Sequence, residues 1–410
     1  MPLFLDTPAT DMADSVKQIK LEEAPVVHPI WWAQHVTYVE FQRSEIQIIG
    51  AMVIHPNPRG HVTLLTGWSE TFLKYADIIK QLYDGGYSVF TYDHQCQGLS
   101  GRWLPESQST WVESFEEYVQ DLLFFQKHVV KTPLGVNNFL LAHSMGGLVG
   151  GHAMAQRPTL FHRAFLSSPM FRNKCGMKDI NYRFPLPTFI IHRVMRLVHF
   201  IGGGTDHCIG NSLETAEQAL PRHVTTSDDD HLADWRALRM KHPHVMATCP
   251  CNDWLLHALD ASRDFEQAMY RVVTPTIVVN CDNDVFVENF SMEAFARNAQ
   301  EARLLQCPNA YHEVLFEKSL VRGACLKVMH DFFSADADSV ENILAPHPLV
   351  EYQPNAPRMK SVRLALAWAA GAAVGLAVLL VKRDGEGSFA LRSFSLSLLL
   401  PSSSSSSSTK

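Results

Sequence analysis

Basic residues are scarce relative to acidic ones. Lys and Arg number 35 against 42 Asp and Glu, a formal net charge of −7. A nucleic-acid reader needs a cationic surface to neutralise phosphates, so no nucleic-acid partner is expected. Cysteine is sparse too: eight in 410 residues cannot make a disulfide scaffold. The opening MPLFLDTPATDMADS lacks the basic start and apolar run of a secretory signal. Together these absences predict a reducing compartment and buried thiols. Cofactor and metal signatures are missing as well. Gly202-Gly203-Gly204 is not followed by the Lys-Ser/Thr of a phosphate loop, and reads as a hinge. Cys249 and Cys251, with His242 and His244 nearby, have no second pair at zinc-site distance. Asp228-Asp229-Asp230 reads as a solvated helix start. No cofactor and no metal are expected.

What is present is apolar and patterned. Hydrophobic residues make up 46% of the chain, enough for a large core. Residues 35–41 (HVTYVEF) alternate and 46–54 (IQIIGAMVI) are rich in β-branched side chains, which predicts an opening hairpin. Short apolar runs at 62–65, 88–92, 138–142, 162–167, 276–280 and 304–306 read as buried strands. Between them lie helical patterns at 72–83, 145–156, 291–298 and 320–333. Ser114 and Glu117 have capping-box spacing. After them Phe115, Tyr118, Leu122, Phe125 and Val129 recur every three or four residues, one face of a helix. Strand and helix in alternation predict an α/β domain, a mostly parallel sheet with helices on both faces.

The rhythm breaks between 170 and 270, where helix-like pieces at 188–198 and 230–240 replace strands. The expected organisation is therefore an N-terminal arm (1–30), a first part of the core (31–169), a helical insertion (170–270) and a second part of the core (271–333). A linker (334–363) rich in Pro and Asp follows. Residues 364–381 (LALAWAAGAAVGLAVLLV) carry no charge and would span about 27 Å as a helix. They are a candidate transmembrane helix with basic residues at both ends, and Gly371 and Gly375 form a GxxxG that would pair two copies weakly. The tail, 382–410, ends in a run of seven serines at 402–408 that cannot build a core.

The chemistry concentrates in LLAHSMGG, 140–147. It has the form of a nucleophile elbow, with Ala142 at the first small position. A tight strand-to-helix turn would lift Ser144 above the sheet and aim the Met145 N–H at a developing oxyanion. Serine needs a base. In this arrangement an acid and then a His follow the nucleophile in the chain. His312, after the last strand and before the last helix, fits best. His330 lies within that helix, His347 within the linker, and strand alternation points His143 away from the nucleophile. For the acid, the loop NCDNDVF after 276–280 offers Asp282 and Asp284. Asp284, further into the loop, reaches an imidazole more easily, and Glu288 is a distant third. The second oxyanion donor is expected from LLTGWSE, where Gly67 permits the turn and Trp68 N–H would donate.

Three segments, 67–102, 140–147 and 309–318, together resemble the lysophospholipase and monoacylglycerol lipase branch of the α/β hydrolases. The similarity is closest to bacterial lysophospholipases, which also place Ala before His-Ser-Met-Gly-Gly, and it runs from Trp32 to Phe333. It implies an eight-stranded α/β-hydrolase sheet and a triad of Ser144, Asp284 and His312. It also implies a cap over an acyl-binding channel, and a lysophospholipid or monoacylglycerol as substrate, cleaved through an acyl-enzyme. Two departures stand out. The family's Asp-His-Arg-Gly-x-Gly-x-Ser is here Asp93-His94-Gln95-Cys96-Gln97-Gly98-Leu99-Ser100. Trp68 replaces a smaller residue of the monoacylglycerol lipases, which implies a narrower site. The rival functions are a general esterase or peptidase on the same fold, or a lipid-binding protein without catalysis. The resemblance and the apolar segment together predict a membrane-associated enzyme with its catalytic domain in the cytosol.

Overall fold

The computed structural model describes residues 16–106, 108–174, 188–208, 224–334 and 350–351. The candidate membrane segment, with Gly371 and Gly375, the serine tail and His347 lie outside the described residues. Among the described residues no helix is long and apolar enough to cross a membrane.

The chain opens with β1 (Val16–Ile19), α1 (Pro29–His35) and the expected hairpin, β2 (Thr37–Gln42) and β3 (Gln47–Val53). There follow β4 (His61–Leu65), a 3-10 turn into α2 (Ala76–Asp84), β5 (Ser88–Tyr92), β6 (Ser109–Thr110) and α3 (Phe115–Phe125). β7 (Asn138–His143) leads into α4 (Met145–Gln156), and then β8 (Arg163–Ser167). Between β8 and the next long strand come α5 (Thr188–Phe200), α6 (Asp229–Lys241), β9 (Cys249–Pro250) and α7 (Asn252–Ala268). β10 (Thr276–Cys281), α8 (Asn289–Asn298), β11 (Ala302–Cys307), α9 (Ser319–Ser334) and β12 (Val350–Glu351) complete the order.

One sheet runs β1-β2-β3-β5-β4-β7-β8-β10-β11-β12. From β5 to β11 neighbours are parallel; β1, β2, β3 and β12 pair antiparallel at the two sides. Among the described residues the sheet has ten strands rather than the expected eight. The two extra strands are the outermost, and both fall in segments expected to be an arm and a linker. Their sequences carry little signal because an edge strand buries neither face fully: VKQI of β1 is half-buried at its ends and exposed between. The inner strands β4, β5, β7 and β10 are buried at every residue, as helices on both faces require.

Two clusters fill the faces of the sheet. Phe41, Tyr92, Phe125, Leu140 and Leu148 belong to one, and Trp32, Phe72, Phe139, Phe165 and Phe333 to the other. α7 presents Trp254, Ala258, Ala261 and Phe265 to the first cluster and packs on α3 and α4. The capping box at α3 does not form. Ser114 Oγ accepts the Glu116 N–H, and the Glu117 carboxylate is taken by Arg43.

Candidate active site

Ser144 follows β7 in the middle of the sheet, at φ 49° and ψ −115°. A serine in that region is strained, and surrounding bonds hold it there. Its N–H donates to Ser167 O at 3.0 Å, and its carbonyl accepts from Gly147 and Met170 at 2.9 and 2.8 Å. The small residues of the elbow have a steric reason. A Cβ on Gly146 would lie 2.7 Å from Leu65 Cβ and Thr66 O, and one on Gly147 2.5 Å from Pro169 Cβ.

Two loops beyond Ser144 converge on it. β11 delivers His312, whose Nε2 lies 2.9 Å from Ser144 Oγ. β10 delivers Asp284, whose Oδ2 lies 2.6 Å from His312 Nδ1. Asp284 Oδ1 accepts the N–H groups of Phe286 and Val287 at 2.8 and 3.1 Å, which fixes the carboxylate plane. Burial opposes charge on both groups, and the pair overcomes it. Burial raises the Asp284 carboxyl, but His312 and the backbone donors outweigh this and hold it below its ordinary value. Burial lowers the His312 imidazole, but Asp284 outweighs this and raises it. With Nδ1–H donated to Asp284, Nε2 keeps a lone pair for the serine proton. Asp282 is exposed on the same loop. Glu288 stands just before α8. His330 packs against Tyr87. His143 directs Nδ1 to Ser167 O, and its ring lies 4.8 Å from that of His312.

The loop after β4 passes beside the elbow. Trp68 N–H and Met145 N–H are hydrogen-bonded to no other group among the described residues, which leaves two donors for an oxyanion. The Trp68 indole donates to Thr110 Oγ1 at 3.2 Å and packs 5.5 Å from Trp254 of α7. Beneath the loop is an ionic cluster that the sequence did not reveal. Glu70 Oε2 accepts from Gly67 N–H and from Tyr75 OH, both at 2.6 Å. Lys74 Nζ lies 2.5 Å from Glu70 and 2.8 Å from Glu313, next to His312. Burial raises both carboxyls, but Lys74 prevails and both are lowered. The one sequence signal was the four-residue spacing of Glu70 and Lys74.

A model of the serine aminopeptidase S33 hydrolases matches residues 56–319. The chain belongs to this family. Lysophospholipase L2 of Escherichia coli (strain K12) is 27% identical over 283 residues, 67% of this chain and 80% of that protein. Monoglyceride lipase of Rattus norvegicus is 34% identical over 113 residues, 28% of this chain and 36% of that protein. The monoacylglycerol lipase structure from Paleococcus ferrophilus shares the fold, with a TM-score of 0.54 at 17% identity over 70% of this chain and 98% of that one. These matches place the chain in the lysophospholipase and monoacylglycerol lipase branch of the α/β hydrolases, as its motifs led us to expect. It is an enzyme of the carboxylic-ester hydrolase class.

In this hydrolase the departing residues at 93–100 are tied to partners far along the chain. The Gln95 amide donates to Asp121 at 2.6 Å and accepts from the Trp103 indole at 3.0 Å. The guanidinium that the family pattern puts at position 95 is missing, but Arg43 reaches the same Asp121 at 2.8 Å. Arg43 comes from the bend between β2 and β3, so no local motif announces it. Gly98 is obligatory at φ 52°, where a Cβ would lie 1.9 Å from Asp93 Oδ2. Cys249 and Cys251 are buried thiols. His242 bonds Ala24 O at 3.1 Å. Among the described residues no group of His, Cys, Asp or Glu is suited to a metal. Asp228 caps α6 by accepting the His231 N–H at 2.9 Å.

Proposed function

We propose that this protein cleaves the acyl ester of a lysophospholipid or monoacylglycerol through an acyl-enzyme on Ser144. The observation that carries the reading is the unbroken hydrogen-bond chain Asp284–His312–Ser144 at the strand ends. In this mechanism Ser144 Oγ attacks the ester carbonyl while His312 Nε2 takes its proton. The Trp68 and Met145 N–H groups receive the oxyanion. Collapse of the tetrahedral intermediate expels the alcohol, which takes the proton from His312. Water, deprotonated by the same imidazole, then releases the fatty acid. Asp284 holds the tautomer and stabilises the imidazolium.

Lipid as substrate is supported by α5. Phe189, Ile190, Val194, Leu197 and Phe200 lie exposed along one side of it, and exposed Ile201 follows its last residue, with exposed Arg193 and Arg196 among them. Apolar anchors beside cations suit an anionic lipid surface. We read residues 170–270 as a cap, and residues 364–381 as a tail anchor that keeps the catalytic domain on the cytosolic side of a membrane. The family's aminopeptidase description favours one rival, hydrolysis of a peptide bond.

The test is a panel of lysophospholipids, monoacylglycerols, short esters and aminoacyl anilides on purified protein, with fluorophosphonate labelling. Ester cleavage and labelling that vanish in Ser144→Ala are expected. Labelling that survives Ser144→Ala, or turnover of the anilides alone, refutes the reading. The full chain is expected to resist carbonate extraction from membranes, and release by carbonate removes the anchor.

A further inference from the structure

Gln97 belongs to the loop that departs from the family pattern, and its side chain is fully buried. It contacts the residue after one proposed oxyanion donor and the side chain of the other. Its Oε1 accepts the Ser69 N–H at 2.5 Å, and Ser69 directly follows Trp68. Its Nε2 points at Met145 Sδ at 3.7 Å, and Met145 supplies the other donor. Sulfur is a weak acceptor, so the Ser69 bond is the stronger of the two contacts.

That bond falls where the loop is least comfortable. Ser69 has φ 66°, a left-handed conformation that a non-glycine residue adopts only at a cost. The bonds around it hold the loop in place. Gly67 N–H is tied to Glu70, Ser69 N–H to Gln97, and Ser69 O and Oγ to Arg239 Nη2 from α6, each at 3.1 Å. The peptide between Trp68 and Ser69 is thus oriented by Gln97, one peptide beyond the one that carries Trp68 N–H. Without an acceptor at 97 the half-buried Ser69 N–H loses its partner, and rotation of that peptide relieves both penalties while moving Trp68.

We propose that Gln97 is a positioning residue that sets the distance between the two oxyanion donors by holding Ser69 with one end and Met145 with the other. This rests on the reading of Ser144 as nucleophile. Gln97 touches no reacting atom. Its effect is on the placement of N–H groups that interact with the transition state, so its loss should appear in kcat and not in KM.

The experiment uses Gln97→Met, of similar length but with only a weakly accepting sulfur in place of the amide oxygen, with active sites counted by fluorophosphonate titration. Three quantities are compared with wild type: kcat and KM on a soluble short-chain p-nitrophenyl ester, affinity for an alkyl boronic acid, and the pH of half-maximal rate. The boronate adduct places an anionic oxygen where the oxyanion forms. The expected result is a fall in kcat of about 10- to 100-fold, below the full loss of a donor. KM should stay within about twofold, boronate affinity should fall in parallel with kcat, and the pH midpoint should not move. Adding Ser69→Gly, which adopts positive φ freely, should recover part of the rate. Should Gln97→Met not fold, Gln97→Asn, one methylene short of Ser69, gives the same reading. A kcat within twofold of wild type, a loss confined to KM, or unchanged boronate affinity overturns the proposal. An inactive wild type, or one whose activity survives Ser144→Ala, overturns the nucleophile reading instead.

Discussion

Asp284 and His312 illustrate how two groups that burial would neutralise shift each other toward the charged form. Because the imidazole is raised, the acid limb of kcat/KM is expected above pH 6.5, the ordinary value for histidine. Asp284→Asn should lower kcat by about 10³–10⁴ and move that limb to lower pH. The pair also affects stability, with opposite signs for its members. The contribution of the lowered Asp284 is present above the carboxyl's ordinary 3.8 and is lost as pH falls through its folded value. The contribution of the raised His312 is present below 6.5 and is lost as pH rises through its folded value. Asp284→Asn should therefore cost more stability near pH 5 than at pH 9, which thermal melts at the two values would check. An equal cost at both contradicts the coupling. Ser144 and His312 were legible because each sits in a compact local motif. Arg43 and Gln97 were not, because their partners lie 78 and 28 residues away and only the fold brings them together.

α5 and α7 form a pair of elements with different tasks. His192 and His199 on α5 bond Asp260 and Asp253 on α7, at 2.8 and 2.7 Å. Met195 is buried on the same helix. The opposite side faces water with Phe200 85% and Leu197 60% exposed, more apolar surface than a helix with nothing to cover it normally shows. Leu197→Asp with Phe200→Ser should reduce co-sedimentation with anionic vesicles several-fold and leave hydrolysis of a soluble ester within about twofold. Undiminished vesicle binding would place the lipid contact elsewhere. The sequence showed α5 and α6 but not α7. Its buried Trp254, Ala258, Ala261 and Phe265 have helical spacing, yet the helix lies at the end of the expected insertion with His and Asp residues among its apolar positions.

At the scale of the molecule, the folded part reaches beyond the segment that looks enzymatic. β12 pairs with β11 at Leu305 and Gln306, so a chain ending after Tyr352 keeps that edge covered. A chain ending at Ser334 does not. The longer truncation should retain ester hydrolysis at wild-type rate, and the shorter should melt several degrees lower and precipitate more readily. Equal behaviour of the two would show that β12 contributes nothing. The inner parallel strands could be read from composition because burial on both faces leaves a continuous apolar run. β1 leaves only Val16 and Ile19 half-buried against the two clusters, too short a pattern to read as a strand.

The paired sides of the sheet also bear on how the gene could be divided. The stretch shared with the family begins at residue 56, after β3, so a fragment cut there would leave β5 with the carbonyls and amides that Gly50 to Val53 now satisfy. Such a fragment would contain Ser144, Asp284 and His312, and would still be a seed for fibrils, because its open strand would recruit the same strand from other copies. The stretch that the family model matches is smaller than the unit whose inner strands are all paired.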